Sequence, residues 1–416
     1  MNIHHFYEQR NNFFLKVSPT MRGGLTLFIL VGLATLIGGI VAGEATRTWG
    51  SFLFNVFFFF SIALGGVAFS GMQDVIGAVW GRPVMRLHES FSSFLPAALV
   101  FFLVFFTCIV LKVGGAQDVF VWIRNPEMLD HFWGKKTWLQ PGFMIIRDLF
   151  CLVVILALAM WQMKKKLAPD MMLVKGNKEK AMEMGLSSKT KLRYWSAPVL
   201  VTYAITFSCL AFDLTMSLSP LWFSTLWGGW SFAVMMQTLM ASTLLFMFWL
   251  KSSNFGQYFR QQQFHDVGKL MHGFTIFFAY LTYAHVLTYW YGNMPEETEY
   301  FIHRLHGPWL FFVIVCPILV FVVPLFGLIP KASKWTPGLT IPLALIILFA
   351  QWMVALLIVI PEVANAETWK FPLIEIGAFF GVFGVFLTCV FSFARRYPMM
   401  AIADPLLPEA LSEGHH

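Results

Sequence analysis

Residues 50–72 read GSFLFNVFFFFSIALGGVAFSGM, a run without a single charge. A helix of about 20 apolar residues spans the hydrocarbon core of a bilayer, and this run meets that length with phenylalanine, leucine and glycine. Similar runs recur at 24–43, 90–111, 142–163, 196–215, 228–250, 267–290, 306–328, 340–360 and 371–394. The chain has 416 residues, of which 58% are hydrophobic and 12% charged, far from the quarter-charged profile of soluble domains. Its mean hydropathy is +0.68. Continuous apolar runs separated by short polar loops exclude an outer-membrane barrel, whose strands alternate. The expected fold is therefore an all-α, multi-pass integral membrane protein with ten transmembrane helices. Residues 1–23 form an N-terminal tail, 24–394 the membrane domain, and 395–416 a C-terminal tail.

Lysine and arginine set the orientation, because they are retained on the cytoplasmic side of a membrane. Twenty of them fall in one alternating set of segments: the two tails, 73–89, 164–195, 251–266 and 329–339. The opposite set holds seven: Arg47, Lys112, Arg124, Lys135, Lys136, Arg304 and Lys370. Both termini are thus expected in the cytoplasm. The first run follows 23 mostly polar residues, which favours an uncleaved span over a signal peptide, although VAGEA at 41–45 has the composition of a cleavage site. The one long polar insert is the expected cytoplasmic loop 164–195, with nine Lys and Arg. It reads as a topology-fixing segment that meets anionic phospholipid, with partner docking as the alternative. The pI of 9.1 is accordingly a membrane signature, and no aromatic interleaving points to nucleic acid.

All five cysteines lie inside apolar runs, without a CxxC or CxxCH. Covalent haem and iron–sulfur clusters held by this chain are not expected. No internal repeat is visible.

Ionisable residues within spans are the informative ones, since each costs about 2.5–3.5 kcal/mol at mid-helix unless paired or hydrated. Towards the cytoplasm lie Asp74, His88, Glu89, Asp266, Lys269 and His272. Towards the other side lie Glu44, Arg147, Asp148, Asp213, His285 and Glu375. The spacing of Asp266, Lys269 and His272 fans them over one part of a helix surface. They read either as an interfacial ion pair with a snorkelling lysine or as a proton-exchanging cluster. His285 reads as a hydrogen-bonding partner of a neighbouring helix or as a cofactor contact, with Tyr280, Tyr283 and Tyr289 near it in sequence. Arg147 and Asp148 point about 100° apart on their helix, so each needs its own partner, Asp213 or Glu375 for the arginine. The uncharged tract SLSPLWFSTLWGGW, 217–230, reads as a headgroup-belt anchor or as an aromatic surface against a partner subunit or a flat lipid-soluble substrate.

Two stretches, FDLTMSLSPLWFSTLWGGWSF from 212 and DVGKLMHGFTIFFAYLTYAHVLTYWYGNMPEETEYFIHR from 266, carry a resemblance. They resemble the ActF family, the second NrfD/polysulfide-reductase-C-like membrane subunit of bacterial alternative complex III. The resemblance implies two four-helix bundles, spans two to five and six to nine, with one helix at each end. It implies a subunit of a quinol:cytochrome c oxidoreductase of the inner membrane that carries no redox centre and is not catalytic alone. The partners implied are a sister NrfD-like membrane subunit, an iron–sulfur subunit, multihaem and monohaem cytochrome c subunits, and a terminal oxidase. Haem c and iron–sulfur clusters belong to those partners, and quinone is the only small cofactor to consider here. By position, Asp213, the pair Asp266 and Lys269, the loop Pro295, Glu296, Glu297 and Thr298, and Arg304 match the family's motifs. Leu214 and Ser219 depart from them, standing where the family has tryptophan and glutamate.

The proton-pathway candidates on this reading form two halves. One is Asp74, Glu89, Asp266, Lys269 and His272; the other is Arg147, Asp148, Asp213, His285 and Glu375. Two readings of other classes compete. A proton-coupled secondary transporter would use the same buried charges, though no helix is visibly broken at mid-membrane. A haem b cytochrome would pair His88 with His272 and His285 with His306, though no span carries the two histidines that stacked haems need.

Overall fold

The computed structural model describes residues 7–130, 133–367, 369 and 371–412. Lys370, counted above for orientation, lies outside them, as does the side chain of Glu296. Among the described residues, ten helices are long and apolar enough to cross a membrane: α1 Pro19–Val41, α2 Ala45–Ile76, α3 Arg82–Val110, α4 Pro141–Val174, α5 Lys178–Leu214, α6 Trp227–Leu250, α7 Gln261–Gly292, α8 Trp309–Gly327, α9 Pro337–Val363 and α10 Leu373–Arg396. The two described chain ends meet on one side of the bundle, the Leu15 amide donating to the Ala394 carbonyl at 2.9 Å; this side is called here the terminal face.

The quoted run is the centre of the molecule. It forms the membrane part of α2, whose most apolar stretch is 94% buried, and α2 packs against α1, α3, α5, α6, α9 and α10. Around it, α3 packs on α4 and α4 on α5; separately, α6 packs on α7, α7 on α8, α8 on α9 and α9 back on α6. Helices α1 and α10 lie against each other. A Cβ on Gly32 would fall 2.2 Å from the Gly381 Cα, so these backbones touch in the manner of small-residue membrane contacts.

Prolines shape the helices and leave carbonyls to be satisfied. In α8, Pro324 has no N–H for the carbonyl four residues back, Val320, and a π-helical turn spans Ile318–Val322. Gln237 Nε2 of α6 donates to that carbonyl at 3.3 Å and to Thr275 Oγ1 of α7 at 2.9 Å. Gln351 of α9 donates to the Gln237 carbonyl oxygen in turn. One amide thus ties four helices together at mid-membrane, where an unmet polar group is most costly.

The basic stretch 164–195 is not a loop. Helices α4 and α5 run on through it and meet at a three-residue turn, 175–177. Its Lys, Met, Ala and Glu residues are good helix formers, Gly176 supplies φ +92°, and Asn177 caps α5 by accepting from the Lys180 amide at 3.1 Å. The described part of the C-terminal tail, 397–412, packs against the helices. Met399, Met400, Ile402, Leu407 and Leu411 are all buried, and the Met399 amide donates to the Phe13 carbonyl at 2.8 Å.

Candidate functional site

In the described part of the chain, two clusters of buried charges lie near opposite ends of the helices α2 to α5. At the terminal face, α3 begins with Arg82, Arg86 and Glu89, three and four residues apart and therefore on one side of the helix. All three are buried. Arg82 pairs with Asp74 of α2 at 3.0 Å and with Asp404 of the C-terminal segment at 3.1 Å. Arg86 pairs with Glu89 and with Asp170 of α4. Lys166 of α4 reaches Asp74 at 2.6 Å and Glu89 at 3.1 Å, and also bonds Ser70, whose hydroxyl donates to Glu89 at 2.6 Å. The Ala403 amide donates to Asp170 at 2.8 Å, so the C-terminal segment closes the site. Four carboxyls face three cations, one negative charge in excess when all are ionised.

At the opposite face, α4 brings Arg147 and Asp148 to Asp213 of α5. Arg147 contacts one Asp213 oxygen through Nε at 2.8 Å and Nη2 at 2.7 Å. Trp138 Nε1 donates to the other at 2.8 Å, and its ring lies 3.8 Å beneath the guanidinium. Asp148 stands against Asp213, carboxyl to carboxyl, is 0% exposed, and accepts no hydrogen bond from an N–H or hydroxyl group among the described residues. One turn deeper the thiols of Cys151 and Cys209 meet. Lys135, on the same short helix as Trp138, Trp133–Trp138, turns to the tract 217–230, donating to the Trp222 carbonyl at 3.1 Å. Burial brings its ammonium down to about 8.

Other candidates lie elsewhere. Glu375 does not meet Arg147; it pairs with Arg47 of α2 at 2.8 Å and accepts from Trp369 at 3.2 Å. Asp266 accepts from Gln262 at 3.0 Å and pairs with Lys269 at 3.3 Å. The Lys269 side chain is 56% exposed, the geometry of an interfacial pair, and neither joins the terminal-face network. Gly268, between them, is where a Cβ would meet that of Lys334 at 2.7 Å, so the Asp-Val-Gly-Lys motif also serves the packing of the α8–α9 connection. His272 Nε2 has no partner among the described residues. His88 is fully buried on α3, edge-on to Phe69.

The tract 217–230 turns inward rather than to a headgroup belt. Trp222, Trp227 and Trp230 are buried. Trp222 stacks on Tyr300 at 4.2 Å, and His285 lies beside the Trp222–Trp227 pair, 6.4 and 6.2 Å from the two rings. Of the three tyrosines near His285 in sequence, Tyr289 packs on Trp222, while Tyr280 and Tyr283 face outward. Arg304 pairs with Glu362 of α9 at 2.8 Å, and Ser219 donates to the same Glu362 oxygen at 2.6 Å. Beneath lies a cavity of about 50 Å³ lined by Ser61, Thr215, Ser231, Thr238 and Gln351 among apolar groups. That is room for a few waters, and the Gln351 carbonyl oxygen, unpartnered among the described residues, is a ready acceptor for one.

Sequence reasoning missed Arg82, Arg86, Lys166, Asp170 and Asp404, because they fall in stretches read as loops or tail. The spacing of Arg82, Arg86 and Glu89 was the available signal. It also missed Arg47, Trp138 and Glu362, single residues paired across helices without any local pattern. Among the described residues no group of three or more His, Cys, Asp and Glu is placed to hold a metal ion. No protein-family model matches the chain, and no curated protein matches it.

Proposed function

We propose that this chain is an integral subunit of a respiratory quinol:cytochrome c oxidoreductase, or of a complex with an equivalent acceptor, in a bacterial inner membrane. In it the chain acts as scaffold and proton carrier rather than electron carrier. The observation that carries this reading is the opposite-face site, where two buried carboxyls stand side by side and only Asp213 is met by the guanidinium. Two acids and one base leave a place for one exchangeable proton, and Asp148 has no other group to answer to. The terminal-face network, with its unequal count of acids and cations, supplies the corresponding place at the other end of the same helices. The helix neighbours are those expected of two four-helix bundles with one helix at each end, which supports the resemblance. The positive residues put the terminal face in the cytoplasm.

Electrons on this reading stay in the partner subunits, and the coupling lies in how quinol oxidation next door alters the fields at the two sites. The mid-membrane cavity is too small for a quinone ring and suits water. The test has two arms. The tagged full-length chain is expected to co-purify with a multihaem cytochrome and an iron–sulfur subunit; purification alone would instead favour a transporter. In the assembled complex, Asp148→Asn and Asp74→Asn should each lower the number of protons moved per electron while electron transfer continues. An unchanged ratio in both variants would falsify the proton role.

A further inference from the structure

The terminal-face network opens outward into a pocket of about 260 Å³ lined by Asp74, Arg82, Lys189 and Arg193, with Ile76 and Leu406 at its walls. Its charge is unbalanced. Asp74 is already engaged by Arg82 and Lys166, whereas Lys189 and Arg193 make no ion pair among the described residues. These two are four residues apart on α5 and so share one side of the helix. The pocket wall at Ile76 is 71% exposed, on the last turn of a membrane-crossing helix. A cavity with a basic floor and an apolar wall, at the end of a helix long and apolar enough to cross a membrane, matches a group that is anionic at one end and apolar at the other.

We propose that this pocket binds the phosphodiester of one anionic phospholipid. Lys189 and Arg193 supply charge-assisted hydrogen bonds to the phosphate oxygens, and the guanidinium fits a phosphate edge with two parallel N–H groups. Arg82 behind them links the bound phosphate to the carboxyls of the network, and the acyl chains leave past Ile76 into the bilayer. Such a site is saturable and holds one lipid, unlike the diffuse attraction of any basic surface to an anionic leaflet. It holds whether or not the chain moves protons.

The delipidated full-length chain in detergent, titrated with phosphatidylglycerol and followed by native mass spectrometry, is expected to show one saturable lipid. The variant Lys189→Gln/Arg193→Gln should weaken that event by roughly tenfold or more, on the order of what two charge-assisted contacts supply. The exchange Lys189→Arg/Arg193→Lys should keep it, as should Lys175→Gln/Lys180→Gln, which removes two charges outside the pocket. Equal weakening in both glutamine variants would mean diffuse charge and would overturn the site. Full competition by inorganic phosphate would identify an anion site for free phosphate and overturn the lipid. Phosphatidylcholine binding with the same affinity and the same sensitivity to substitution would overturn the requirement for an anionic headgroup. Unchanged circular dichroism in each variant separates a lost site from a lost fold.

Discussion

Asp148 and Asp213 are the same residue type on adjacent helices, yet their surroundings ask opposite things of them. Asp213 has a guanidinium on one oxygen and an indole N–H on the other; Asp148 has neither, at 0% exposure. An isolated buried carboxylate is far costlier than a buried neutral acid, so Asp148 should carry the proton of the pair. Asp148→Asn, which replaces a neutral acid by a neutral amide of the same shape, is then expected to change stability by less than about 1 kcal/mol. Asp213→Asn strands Arg147 and should cost about 3–5 kcal/mol. Thermal unfolding in detergent compares the two, and infrared spectroscopy should lose a protonated-carboxyl band in Asp148→Asn. If both variants are equally destabilised and no such band exists, Asp148 is ionised and the pair is not a proton site. Part of this was legible in the sequence: a carboxylate within an apolar run must have a partner, which made Arg147 with Asp213 one of two choices. The distinction between the two aspartates was not, because it depends on which side chains from other helices arrive at each.

Among the elements, the apolar runs were legible to within a few residues, since bilayer thickness dictates their length. What lay beyond the bilayer was not. The stretch 164–195 contains enough charge to leave the membrane but not enough turn chemistry to leave the helix, and only Gly176 and Asn177 break it. Likewise nothing in residues 397–412 announces that they fold back under the bundle; that depends on Asp170 and Arg82 waiting there. The close approach is at Gly185 of α5, where a Cβ would meet the Ala403 carbonyl at 2.7 Å. Gly185→Leu should therefore lift the segment off without touching a charge. Hydrogen exchange at the amides of 399–411 should rise well above wild type while that of α6 to α9 stays unchanged. Unaltered exchange at 399–411 would show that the segment is held by its own apolar contacts and does not depend on this helix.

For the whole molecule, the order of charges and the order of helices make one joint statement about sidedness. The turn at 175–177 and the helix Leu407–Ser412 lie at the terminal face, whereas the connection after α3 and the helix Pro295–Arg304 lie at the other. Lys180, Glu409, Glu127 and Glu299 are exposed representatives of these four places, and the five native cysteines sit within the spans, Cys108 and Cys316 among them. Single cysteines at the four positions, treated with a membrane-impermeant maleimide in intact cells and in inverted vesicles, read the topology directly. Retention of positive charge on the cytoplasmic side predicts labelling at 127 and 299 from outside, and at 180 and 409 only in inverted vesicles. The mirror result would keep the ten spans and reverse the orientation, putting the lipid pocket and the basic hairpin of α4 and α5 on the outer side. Labelling of 127 and 180 from the same side would be more damaging. It would mean that α4 does not cross, and the two ionic sites could then not lie near opposite surfaces of the membrane, which is what a path for protons between them requires.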